Sequence, residues 1–167
     1  MMTFTEIFSI TPFDWQAVGT SIMCGTIIGL ERQLRGKPVG IRTSALITLG
    51  TYIFIAASML VSNDATDPTR IIGQVITGIG FIGAGVMLAR DGMVLGVTSA
   101  ATIWTLASVG VCIAIGYEII AIKLSIVVVF VLAGVDVMED YSQALTRGVH
   151  KKYQDWMDKA KSHDGLE

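Results

Sequence analysis

Ile71-Ile72-Gly73-Gln74-Val75-Ile76-Thr77-Gly78-Ile79-Gly80-Phe81-Ile82-Gly83-Ala84-Gly85-Val86-Met87-Leu88-Ala89 runs from residue 71 to 89 without one charged side chain. A bilayer's hydrocarbon core is about 30 Å thick and is crossed by about 20 apolar residues of α-helix. In water a helix of this kind needs a polar face, and Gln74 and Thr77 are too few to make one. The stretch reads as a membrane span.

Four further stretches pass the same test: residues 13–30, 43–62, 97–116 and 119–138. Only Tyr117 and Glu118 separate the last two, which predicts a tight helical hairpin. Lys123 is the one charge well inside a span, close enough to the helix end for its amine to snorkel to the interface. The fold class is therefore all-α, a polytopic membrane protein of about five transmembrane helices. Composition agrees. The chain of 167 residues is 52% hydrophobic and 16% charged, against about 25% charged in a typical soluble domain. At this length a second large domain is not expected.

Charge placement sets the orientation. Arg32, Arg35, Lys37 and Arg42 surround the first loop, Asp64 and Asp67 dominate the second, Arg90 begins the third, and Arg147, Lys151, Lys152, Lys159 and Lys161 follow the last span. Positive residues stay on the cytoplasmic side, so the N-terminus is expected outside and the C-terminus inside. Trp15 and Tyr117 fall at the outer interface, as aromatic belts do. No Lys or Arg occurs in residues 1–15, so the basic start of a cleavable signal is missing.

Three segments follow. Residues 1–12 read as an interfacial segment in which Pro12 ends any helix, residues 13–138 as the transmembrane domain, and residues 139–167 as a cytoplasmic tail. Met138, Tyr141, Leu145, Val149, Tyr153, Trp156 and Ala160 recur at helical spacing in that tail, giving an amphipathic helix for the inner leaflet or another subunit. The basic residues are clustered rather than spread over a face, so nucleic acid is not an expected partner. Cys24 and Cys112 lie in apolar runs and read as small buried hydrophobes.

The third span is the richest in glycine. Gly73, Thr77, Gly80 and Ala84 share one face, with Gly78, Gly83 and Gly85 beside them; Ser21, Gly25 and Gly29 offer a matching stripe in the first span, and Ala107, Gly110 and Ala114 in the fourth. Small residues let helix backbones approach closely in lipid, which predicts helix packing and a homo-oligomer. The alternative is a helix that bends or lines a pore. Asp67 stands before Pro68 and Arg70, where it can cap the third helix. Glu31 and Arg42 flank the first loop and can form an ion pair at its rim. Thr98, Ser99 and Thr102 open the fourth span, where hydroxyls can bond local carbonyls.

Magnesium is usually held by one or two carboxylates and several waters. No Asp or Glu lies mid-span, so no metal-ligand set can be assigned. A phosphate-binding loop, a metalloprotease helix and a Cys/His cluster are all missing, and no nucleophile and base occur at workable spacing. The chain is not expected to be an enzyme, and no resident cofactor is expected.

Three motifs carry a family resemblance. Residues 29–33 (Gly-Leu-Glu-Arg-Gln) and 35–43 (Arg-Gly-Lys-Pro-Val-Gly-Ile-Arg-Thr) resemble the first loop of the MgtC/SapB family. Residues 70–75 (Arg-Ile-Ile-Gly-Gln-Val) and 78–85 (Gly-Ile-Gly-Phe-Ile-Gly-Ala-Gly) look like its third helix, and residues 96–104 (Gly-Val-Thr-Ser-Ala-Ala-Thr-Ile-Trp) like the start of its fourth. They stand in the right order over residues 29 to about 116. The matching positions include Glu31, Arg32, Gly40, Arg42, Thr43, Arg70, Gln74, Gly80, Gly83, Gly85, Thr98, Ala100, Thr102 and Trp104.

The resemblance implies a multi-pass protein of the bacterial inner membrane, linked to magnesium homeostasis and growth at low magnesium. In some pathogens it implies survival inside host cells. Regulation of a membrane partner is the expected mode of action, with Mg²⁺ as ligand or signal. A channel or carrier for Mg²⁺ or another small cation is the alternative, using a hydrated path near Gln74, Thr77 and Thr98. Two features depart from the family. Only a short tail follows residue 138 where many members carry a larger soluble domain, and Leu95 stands where many have arginine.

Overall fold

A computed structural model describes residues 9–61, 68–90 and 93–141. Among the described residues five helices follow in order: α1 (Trp15–Leu34), α2 (Ile41–Val61), α3 (Pro68–Gly85), α4 (Val97–Ala114) and α5 (Glu118–Tyr141). A two-stranded antiparallel ribbon, β1 (Leu88–Arg90) and β2 (Met93–Leu95), joins α3 to α4. Of the described helices, α2 and α4 are long and apolar enough by themselves to cross a membrane. The expected interfacial segment is described only from Ser9 onward, and the amphipathic tail lies outside the described residues beyond Tyr141.

The helices start and stop for local reasons. Asp14 caps α1 by accepting the Ala17 N–H at 3.3 Å, so the helix begins two residues after the hydropathy boundary at Phe13. It continues past Leu30 to Leu34, taking Glu31 and Arg32 into the helix. The loop then turns through Gly36 and Val39, both at positive φ. Gln33 reaches back from α1 so that its Oε1 accepts the Ile41 N–H at 3.3 Å, capping α2 from outside.

The expected third span, residues 71–89, needs correction at its end. Helix α3 stops at Gly85, and Leu88 and Ala89 belong to β1. Register pairs Leu88 with Leu95, Ala89 with Val94 and Arg90 with Met93, and positions 91 and 92 lie outside the described residues. Those positions are Asp91-Gly92 in the sequence, a dipeptide favoured in two-residue hairpin loops. Gly96 follows at φ 89, and a Cβ there would collide with the Val86 carbonyl oxygen. Only glycine lets the chain pass from the ribbon into α4 at this point.

The chain divides at Val129 into two units. In the first, α1 and α2 form the closest pair, α4 packs on both, and α3 lies along α4. The α1–α2 approach is set by glycine: a Cβ on Gly25 would stand 2.6 Å from Ala45 Cα, and one on Gly29 2.6 Å from Ile41 Cα. Gly110 of α4 does the same against Thr48 and Thr51 of α2. The centre holds Cys24, Tyr52, Val109, Ile113 and Ala121, with Ser21, Ser44, Thr48, Thr102 and Ser125 also buried. Within the second unit, residues 130–141 continue α5, and Phe130 is exposed.

Buried hydroxyl-bearing residues share the interior with Ile28, Ile55, Ile103, Leu106 and Ile113, while Phe54, Phe81, Trp104, Ile119 and Val127 project outward. Buried hydroxyls bond carbonyls of their own helices, as Ser21 to Ala17, Thr48 to Ser44, Thr102 to Thr98 and Ser125 to Ala121 do at 2.8 to 3.1 Å. An apolar exterior around an interior where these hydroxyls are bonded to their own helices suits a lipid solvent.

Candidate functional site

Two places collect the residues singled out in the sequence. The first is a buried polar knot where the last turns of α1 meet the first turn of α4. Arg32 is 3% exposed and Glu31 8% exposed. Arg32 Nη2 donates to Ser99 Oγ at 3.0 Å, tying two segments far apart in the chain. Arg35 Nε lies 2.8 Å from Glu31 Oε1, and Arg32 Nη1 lies 4.0 Å from Glu31 Oε2. The expected Glu31–Arg42 pair does not form. Glu31 takes Arg35 instead, because α1 runs on far enough to bring the two to i,i+4 spacing on one face.

The knot is incompletely satisfied. Glu31 Oε1 meets Arg35 at ion-pair distance, while Glu31 Oε2 and Arg32 Nε are buried with no hydrogen-bond partner among the described residues. Glu31 carries one negative charge against two guanidinium groups, so the knot is net positive. Charge counting along the chain assigns Arg32 to the first loop, whereas it lies in α1 and is buried. The signal that it turns inward is Ser99, and its meaning depends on where α4 begins.

The second place is a groove of about 790 Å³ between α2 and α3. Arg42, Thr43, Thr51 and Gln74 supply its polar groups, while Leu46, Ile47, Phe54, Ile79 and Ile82 supply much of an otherwise apolar lining. Arg42 is exposed, and no described residue pairs with it. Gly50 of α2 and Gly78 of α3 also line the groove, and a Cβ on either would meet nothing within 4 Å. Thr77, by contrast, turns its hydroxyl to the Gly73 carbonyl at 2.9 Å. Neither Thr77 nor Thr98 lines the groove.

The remaining candidates are dispersed. Arg70 is exposed in the first turn of α3, Thr98 is exposed beside the buried Thr102, and Trp104 projects outward from α4. Asp67 lies outside the described residues. On α3, Gly73, Gly78, Gly80 and Gly85 have open space where a Cβ would be, whereas Gly83 faces Ala100 of α4 at 3.7 Å. Among the described residues no three His, Cys, Asp or Glu side chains come together as a metal-binding group.

Comparison with known proteins places these features in context. The model of the MgtC family matches residues 18–141. The Escherichia coli K12 protein named "Putative magnesium transporter YhiD" is 39% identical over 140 residues, covering 80% of this chain and 62% of its own length. The protein MgtC of Salmonella typhimurium LT2 is 45% identical over 97 residues, covering 58% of this chain and 41% of its own. An uncharacterised protein of Haemophilus influenzae is 36% identical over 143 residues, with coverage of 80% and 57%. The chain thus spans about three fifths or less of the length of these relatives. No solved structure matches.

Proposed function

The chain belongs to the MgtC family, and from that premise we propose that it is a multi-pass inner-membrane protein of magnesium homeostasis that works by holding a membrane partner. All five helices cross the bilayer in this reading, with the N-terminus outside and the C-terminus in the cytoplasm. Mg²⁺ is the signal or the solute managed by the assembly, and the chain catalyses no reaction of its own. The magnesium connection is supported by the family and by the name given to YhiD.

One observation carries the mode of action. Gly25, Gly29 and Gly110 are used up inside the bundle, but Gly73 and Gly80, seven residues apart on one face of α3, lie open, as does Gly85 at the helix end, and Phe81 is 84% exposed. Helices in lipid associate through close backbone approach at small residues, so this face suits a helix of another copy or of a partner protein. A channel or carrier is the second reading, favoured by the name of YhiD and by Gln74 and Thr43 in the α2–α3 groove.

Two measurements separate them. Copurification of the full chain from native membranes should return a second membrane protein or further copies of the chain, and Gly80→Leu or Gly85→Leu should release them. Proteoliposomes containing the chain alone should not conduct Mg²⁺ down a gradient. Magnesium flux from those liposomes, with assembly unchanged in both variants, would establish the carrier instead.

A further inference from the structure

We propose that the α2–α3 groove holds one anionic phospholipid, with its headgroup phosphate on Arg42 and its acyl chains laid between the helices. The groove is built for an apolar occupant with a single charged end. Arg42 stands at one end, in the first turn of α2, and Leu46, Phe54 and Ile82 supply hydrocarbon along the walls. The volume of about 790 Å³ falls in the range of roughly 300–1,000 Å³ usual for small-molecule sites.

Length and charge both select a lipid. From Arg42 to Phe54 the helix rises about 18 Å at 1.5 Å per residue. Half of a hydrocarbon core of about 30 Å is about 15 Å, so the groove reaches from headgroup level to near the bilayer centre. An acyl chain anchored at Arg42 fills one leaflet's depth. Of the carboxylates whose side chains are described, Asp14 caps α1, Glu31 is buried against Arg35 and Glu118 accepts from Gln16 Nε2 at 2.7 Å, so none of these three is free to meet Arg42 from a second copy of this chain. Basic pockets between membrane helices on the cytoplasmic side bind anionic headgroups by this electrostatic logic.

The space exists because of two glycines. Gly50 and Gly78 line the groove from opposite helices, and each leaves room that a side chain would take. Larger residues there would let α2 and α3 fill the gap with their own atoms. The headgroup class does not depend on the orientation proposed above, which decides only the leaflet that supplies the lipid.

The test is native mass spectrometry of the full chain, extracted from bilayers of phosphatidylglycerol mixed with phosphatidylethanolamine. The unaltered protein should retain phosphatidylglycerol in preference. Arg42→Gln should cut that preference about fivefold, the factor that corresponds to one basic residue at an anionic surface. Gly78→Leu should abolish retention of either lipid. Equal retention of the two headgroups, or retention unchanged in Arg42→Gln, would overturn the proposal even if Gly78→Leu fails to fold. So would efficient crosslinking between copies through cysteines placed at Leu46 and Phe54, which would show that a second chain fills the groove.

Discussion

Arg32 Nη2 and Ser99 Oγ, 3.0 Å apart, join the end of α1 to the beginning of α4 inside the bundle. The bond fixes where the fourth helix starts relative to the first, and the knot around it also holds Glu31 out of reach of water. Ser99→Ala removes the acceptor alone. Hydrogen bonds between membrane helices contribute on average about 0.6 kcal/mol and up to about 1.7 kcal/mol. The charge on Arg32 places this one toward the upper end. Arg32→Met goes further: it removes the Ser99 bond and the 4.0 Å contact with Glu31, which keeps Arg35, and leaves the buried Ser99 hydroxyl without its charged partner, for a loss of about 1–3 kcal/mol. Thermal unfolding in detergent should rank the two variants in that order. Equal losses would show that Arg32 acts only through Ser99.

The glycines of α1 and α3 should respond in opposite ways to the same methyl group. Gly25→Ala puts a Cβ 2.6 Å from Ala45 Cα, with only backbone to yield, so α1 and α2 must separate. Overpacking of this kind costs about 1–3 kcal/mol. Gly80→Ala meets open space and gains helix propensity, up to about 1 kcal/mol. Melting temperatures of the two variants in one detergent should therefore fall on either side of the unaltered protein. The gain holds for the chain freed of its partner; a loss at Gly80→Ala would show that the helix proposed to dock on this face stays bound in the detergent.

These contrasts mark what the sequence made legible. Helices α2 and α4 could be read from uninterrupted hydropathy, because lipid demands it along their length. The α3 boundary could not be, since Leu88 and Ala89 are as apolar as the helix before them; the Asp91-Gly92 dipeptide was the usable cue. Gly25 and Gly80 look alike in sequence, but only the packing of α1 on α2 makes one of them close-fitting. The exchange of Arg42 for Arg35 beside Glu31 depended on how far α1 continues, and a four-residue extension decided it. The groove was not legible, because it is formed by glycines and apolar side chains from two helices whose relative placement no spacing encodes.

Tyr52 provides a second cross-helix tie. Its hydroxyl accepts the Asp14 N–H at 3.2 Å, and its ring meets Phe13 edge-on with centroids 6.4 Å apart. The side chain is buried in the main apolar cluster, so the hydroxyl holds the entry to α1 against α2. Tyr52→Phe keeps the ring contact and removes the acceptor, for a loss of about 0.6 to 1.7 kcal/mol. Hydrogen exchange at the first turn of α1 should rise while the rest of the helix is unchanged. Uniform acceleration along α1 would mean that the ring, rather than the hydroxyl, carries the contact.

The proposed orientation can be tested from two exposed positions at opposite ends of the bundle. Gln16 Nε2 donates to Glu118 Oε2 at 2.7 Å, which puts Tyr117 at the same end as the start of α1. Lys37 lies in the loop after α1, at the other end. Positive residues near membrane helices stay cytoplasmic, and Lys37 is flanked by Arg35 and Arg42. With Cys24 and Cys112 replaced by alanine, Tyr117→Cys should react with a membrane-impermeant maleimide added to spheroplasts. Lys37→Cys should react only after the membrane is opened. Labelling of both without opening would show that α1 does not cross the bilayer, and the reverse pattern would invert the protein and move Arg42 to the outer leaflet.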